Sequence, residues 1–384
     1  MERVQANTAL QAATEGPAAS YDIVIHSMGS AGAGLLRSLR NVSTLSDREL
    51  ARRLLQAPAV VLEQLDLHTA EQVAGILART GAEVSYKAHH EHIETGTGEF
   101  EIAATIIDYQ NSDAAIKALS RLMALPVEQA ARLLARTPAI LINGVSAATV
   151  DTFREQLEPA GLALDISRPA SALYDIYASN TDSHSLQRCR QLLQQQQIAL
   201  DPTATGPLLA TGVDYKSCQA LWQACERSAA AIIILNQDYQ RADVQLLAVS
   251  RSGALDHYLV HELQLPEKLL PQLYQKLPLV IARALPHQRQ IDVLSQLHTL
   301  GAQAEARLTA FMQFGLTLPN STRAQQVAPL FQLIAGQDAA QCQQALLKQP
   351  GMMPGPYNAQ QARWLQAELK KVGIHARLLP GAMP

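Results

Sequence analysis

Three short stretches of this chain hold the residue types from which chemistry is built. His89, His90, Glu91 and His92 stand in a row, and imidazoles beside a carboxylate make good ligands for a divalent metal. They lie inside the polar run Ala88 to Glu99, where a solvated cluster is the plainer reading, so no metal is expected. Asp182, Ser183 and His184 supply hydrolase residue types. Neighbours in sequence rarely converge in space, however, and no G-x-S-x-G elbow accompanies them, so they read as a polar loop. Gly29-Ser30-Ala31-Gly32-Ala33-Gly34 follows an apolar run and precedes a helical one, as a phosphate-binding loop would. Its spacing fits neither the dinucleotide nor the P-loop pattern, and no partnering Lys follows, so no nucleotide cofactor is expected. The chain reads as non-catalytic and free of cofactors.

The elements that would position any site come from a motif the chain writes five times. Copies begin at Pro58, Pro138, Pro207, Pro278 and Pro350, and four of them reach a glycine at one common spacing, at Gly81, Gly161, Gly301 and Gly373. The third drifts and ends at Ala229. After each proline a short apolar run reads as a strand. A helix then opens on Asp66, Ser146, Asp214 or Asn358, whose side chains can accept from the unpaired amides of a first turn. Pro286 fills that position in the fourth copy, where its missing N–H would have been unpaired anyway. The closing glycine suits a left-handed helix exit, and a second strand follows it. Ala231 to Leu235 is apolar on both faces and predicts a strand covered on both sides.

Upstream of the proline in four copies, Ser46, Pro126, Pro266 and Asp338 occupy one common position and open a further helix, preceded by another helix and an opening strand. The expected architecture is α+β: five tandem β-α-α-β-α-β modules, each a three-stranded antiparallel sheet covered by three helices. The expected boundaries are a flexible tail at 1–19, repeats at 20–88, 100–169, 172–236 (divergent), 239–308 and 310–380, and a polar linker at 89–99. That linker predicts a looser first repeat. Trp222, Trp364 and Tyr357 fall on the third helices or their caps and are expected to pack in cores or between repeats.

Composition narrows the function classes. A net charge of −3 argues against a general nucleic-acid binder, which needs a basic stripe to displace counterions. No apolar run is long enough to cross a bilayer and no signal pattern opens the chain, so a cytoplasmic protein is expected. The four cysteines include no C-x-x-C pair and do not form a disulfide scaffold; Cys218 and Cys225 fall in apolar columns and read as core fillers.

The stretch from Tyr21 to Lys87 resembles the C-terminal domain of the bacterial ribosomal stalk protein without gaps. The shared features are Tyr21-Asp22 and the apolar strand after them, Gly29, Arg40, Glu49, Ala57-Pro58, Ala70-Glu71 and the close Gly81-Ala82-Glu83-Val84. The other four copies resemble it through spacing. The likeness implies the compact α+β fold shared with the adaptor that hands substrates to the Clp protease, a class that docks other proteins. In the stalk family the first helices present a basic and apolar face to translational GTPases. Here Leu36, Arg37, Arg40 and, in the second copy, Lys117 keep part of that face, while Gly32 and Ala51 fall where the family has lysines. The resemblance thus implies a multivalent protein-binding scaffold or adaptor, or else a translation-associated factor that engages a GTPase or the ribosome through the first repeat.

Overall fold

The structure, a computed structural model, describes residues 20–40, 42–202, 206–226 and 231–381; the tail 1–19 and Ala229 lie outside them. The described strands form five three-stranded sheets, each from three strands consecutive in sequence with the first in the middle. β1 (Tyr21–Ser27) lies between β2 (Ala59–Leu65) and β3 (Glu83–Ala88), and β4 (Phe100–Ile106) between β5 (Ala139–Val145) and β6 (Leu162–Ser167). β7 (Leu173–Ala178) lies between β8 (Leu208–Asp214) and β9 (Ile232–Asn236), and β10 (Arg241–Val249) between β11 (Leu279–Pro286) and β12 (Ala302–Leu308). β13 (Gln313–Thr317) lies between β14 (Met352–Asn358) and β15 (Arg377–Pro380). β1, β7, β10 and β13 pair antiparallel with both neighbours, as does β4 with β6. A middle strand has neighbours on both edges, and these are correspondingly apolar: Ile23, Val24 and Ile25 are wholly buried.

Helices cross between the strands. In chain order they are α1 (Leu35–Leu39), α2 (Asp47–Leu55) and α3 (Leu67–Arg79), then α4 (Ser112–Met123), α5 (Val127–Leu134) and α6 (Ala147–Leu157). α7 (Ser183–Gln195) and α8 (Tyr215–Cys225) follow, then α9 (Gly253–His257), α10 (Leu270–Gln275) and α11 (His287–Thr299). α12 (Ala324–Ala335), α13 (Ala339–Lys348) and α14 (Ala359–Lys371) complete the set. Three helices were expected with every sheet, but among the described residues the third sheet has two, α7 and α8. Gln195, the last residue of α7, occupies the place that Ser46 and Pro126 hold elsewhere, and it is neither a short-chain capping residue nor a proline that would open a second helix.

The second strands β2, β8, β11 and β14 each carry a register shift against their middle strand. Gln64, Gly144, Gly212 and Ala284 all have positive φ, and each lies two residues before the residue that opens the next helix. In three sheets a middle-strand carboxylate takes up the displaced amide: Asp22 accepts from Gln64 N–H at 3.0 Å, Asp175 from Gly212 at 3.2 Å and Asp243 from Ala284 at 3.0 Å. A buried amide left unpaired by a bulge would cost about 1–3 kcal/mol, so these acids hold the turn into the helix.

The chain gathers into two compact units. The first takes the described residues within Met1–Phe100, Asp113–Ala130 and Ile142–Ala160; the second takes those within Glu101–Ser112, Ala131–Leu141 and Gly161–Pro384. In the first unit the start of α6 docks on the end of α2. Ser146 Oγ donates to the Ala57 carbonyl, Thr149 Oγ1 donates to Leu55 O at 2.9 Å, and Thr152 Oγ1 meets Ser27 Oγ at 2.7 Å. In this unit the 89–99 run also packs on the chain after α2, since Gly96 N–H donates to Pro58 O at 2.9 Å and a Cβ on Gly96 would lie 2.3 Å from Ala57 O.

In the second unit the start of α14 makes the corresponding contact at the end of α5. Asn358 Nδ2 donates to Ala135 O at 2.8 Å, and Gln360 Nε2 donates to Leu134 O. Around these run further buried links: Arg241 grips Asp165 through two 2.7 Å bonds, Arg363 pairs with Asp243, and Tyr239 donates to Glu101 at 2.8 Å.

Candidate binding sites

In the first unit, Leu36, Arg37 and Arg40 lie on or just after α1, while Lys117 belongs to α4. Leu36 is half-buried and lines an apolar cavity of about 150 Å³ with Leu54, Leu122, Ile142 and Phe153. The apolar part of this face thus borders a cavity walled by later parts of the same unit. Arg37 and Lys117 are exposed. Arg40 is exposed and pairs with Asp47 at 2.6 Å, a surface contact worth little that a partner's carboxylate could replace. The reading from sequence passed over Arg48, Arg52 and Arg53 on α2, which extend the basic character beside α1. Arg52 and Arg53 bracket Glu49, and their hydrogen bonds hold its carboxyl down at about 2.

The other candidate residues have structural work in the fold. His89 Nδ1 lies 2.8 Å from Asp22 and its Nε2 3.3 Å from Gln64, while His90, Glu91 and His92 are exposed. No group of metal-ligating side chains gathers among the described residues. Asp182 caps α7 by accepting from Ser185 N–H at 2.9 Å, so Asp182-Ser183-His184 is a helix start. In the glycine run, a Cβ on Gly29 would lie 2.1 Å from Gly81 O and one on Gly32 would lie 2.6 Å from Leu122 O, so close backbone approach requires both glycines. Cys189, Cys218 and Cys342 are buried thiols, and Cys225 is half-buried. Burial pushes the Cys218 thiol up to about 12, which suits a core filler and not a nucleophile.

Trp364 and Tyr357 are buried as expected, but Trp222 is 58% exposed. It follows Leu221, the buried contact of α8, by one residue, and one helical step of about 100° turns it outward. β9 meets its expectation in part. Ile232 and Ile234 pack into the third core, while Ile233 and Leu235 border a cavity of about 530 Å³ shared with Tyr174, Tyr239 and Phe311.

The second unit also holds two cavities that share Arg283 and Arg363 as lining residues. One, of about 540 Å³, is polar and bordered by Tyr109, Lys370 and His375. Burial raises the Tyr109 hydroxyl above its ordinary range against the opposing pull of Arg363. The other, of about 460 Å³, has apolar walls from Val280, Phe314 and Leu378. None of these residues was singled out from sequence, because they come from β11, β13, α14, β15, the turn at Tyr109 and the loop at His375, and share no local motif.

Searches against protein-family models, curated proteins and solved structures returned no match. No helix among the described residues is long and apolar enough to cross a membrane.

Proposed function

We propose that the chain is a tandem array of five related β-α-α-β-α-β modules, akin to the ribosomal stalk C-terminal domain, and that it holds protein partners without catalysing a reaction. The observation that carries this reading is the strand order: in every one of the five sheets the first strand in sequence lies in the middle. The recurrent positive-φ residue ahead of the third helix and the recurrent helix caps support common ancestry of the modules. The non-catalytic reading is supported by where the chemically versatile residues are engaged, with Asp182 in a cap, His89 against Asp22 and the thiols in cores.

Several related surfaces on one chain raise the effective concentration of each for a partner already held by another, so weak single contacts suffice. Arg37 and Arg40, exposed at the end of α1, are the leading contacts of the first module, with Leu36 beside them and Lys117 in the second. Replacing Arg37 and Arg40 together by Glu is expected to reduce capture of the native partner several-fold in a quantitative pull-down, with the melting temperature unchanged. Undiminished capture would remove this face from the proposal.

A further inference from the structure

Among the charged residues lining the apolar-walled cavity, Arg363 is paired with Asp243, and Arg307 is paired with Glu305 at 2.6 Å. Arg283 is left with no acidic side chain within ion-pair distance among the described residues. The site therefore carries one uncompensated positive charge on a fork that fits a carboxylate with two parallel bonds. Gln245 lines the same cavity and is 9% exposed, and its Oε1 is buried with no hydrogen-bond partner among the described residues. A buried acceptor of this kind calls for an N–H. Val280, Phe314 and Leu378 add an apolar wall, and a cavity of about 460 Å³ is in the range that holds one or two amino-acid residues.

We infer that this cavity receives the C-terminal residue of a peptide that ends in a free carboxylate and carries an apolar side chain. The carboxylate lies on Arg283, the residue's own amide N–H reaches Gln245 Oε1, and the side chain meets Phe314, Val280 and Leu378. A single negative charge matches the single open cation, whereas a phosphate dianion would exceed it. Lys370, in the polar cavity that shares Arg283 and Arg363, adds positive potential on the approach, partly offset by Asp108. This inference rests on the protein-holding reading and names the kind of partner end that one module pair accepts.

The test is fluorescence polarisation with the full chain and three labelled pentapeptides, four alanines followed by Leu, Val or Phe, each as the free acid and as the C-terminal amide. At least one acid is expected to bind, and its amide to bind at least roughly tenfold more weakly. Arg283→Gln should weaken the acid to a similar degree. Gln245→Leu should weaken it several-fold while leaving thermal stability equal or raised, because it removes an unpartnered buried acceptor. Arg37→Glu with Arg40→Glu should leave peptide binding intact, which separates this site from the first module's face. Equal binding of acid and amide, no effect of Arg283→Gln, or no binding by any of the three acids up to about 1 mM would overturn the inference. So would competition by 4-methylpentanoate as strong as the peptide's own affinity, since that acid has the carboxylate and an apolar chain but no amide N–H for Gln245, and would identify a small carboxylate as the ligand.

Discussion

Tyr239 shows how much one side chain does in the second unit. It is 6% exposed and donates its hydroxyl to Glu101 Oε1 at 2.8 Å, joining the turn before β10 to β4. Burial holds the hydroxyl well above its ordinary value near 10, and the bond to Glu101 adds to the rise. A raised pKa means the folded state favours the protonated phenol. Its contribution is fully present below the unfolded value and is lost as pH climbs past it toward the folded one. Tyr239→Phe is expected to lower stability by about 1.5–3 kcal/mol at neutral pH, because the bond it removes is made to a charged acceptor. The deficit should shrink at pH above about 10, as read by urea unfolding at a series of pH values. A deficit that stays constant up to pH 11 would contradict the assignment.

At the scale of elements, the caps decide which helix ends can dock. Ser146 and Asn358 both hold their own helix starts and donate to a carbonyl of another helix end, Ala57 O and Ala135 O. Asp66 and Asp214 cap equally well but, when ionised, have no hydrogen to give, and Pro286 has none either. Ser146→Asp keeps a capping oxygen and sets a carboxylate against carbonyl oxygens, so it should cost about 1–3 kcal/mol in chemical denaturation. Asp214→Ser should stay within about 0.5 kcal/mol. Equal effects of the two would show that the docking contact contributes nothing.

Much at this scale was legible in the sequence. Caps, closing glycines and alternating strands are local, and the helices that open after Ser46, Pro126 and Asp338 begin at the next residue in each case. What escaped depended on distant partners. The polar look of Ala88 to Glu99 concealed that Gly96 lies against Ala57, and the aromatic character of Trp222 did not say which way its helix faces. The Arg283 cavity draws on strands from two sheets, so no window of sequence contains it.

For the whole molecule, the first compact unit joins part of the second segment to the first, and the second unit is closed by α14 lying near Tyr109 and Ser112. Ser112 Oγ donates to Glu368 at 2.5 Å, and Gln360 accepts from Ile106 N–H at 3.1 Å. Segments tied this way share stability with their neighbours. Multivalent holding makes a stoichiometric demand that a single-site factor or an enzyme does not. The most direct measurement is native mass spectrometry of the complex purified from the source cell through a tag on this chain. Two or more partner polypeptides bound to one chain, through crosslinks in more than one segment, is the result the account predicts. A single partner crosslinked to one segment alone, or a chain that purifies with no protein partner, would contradict it.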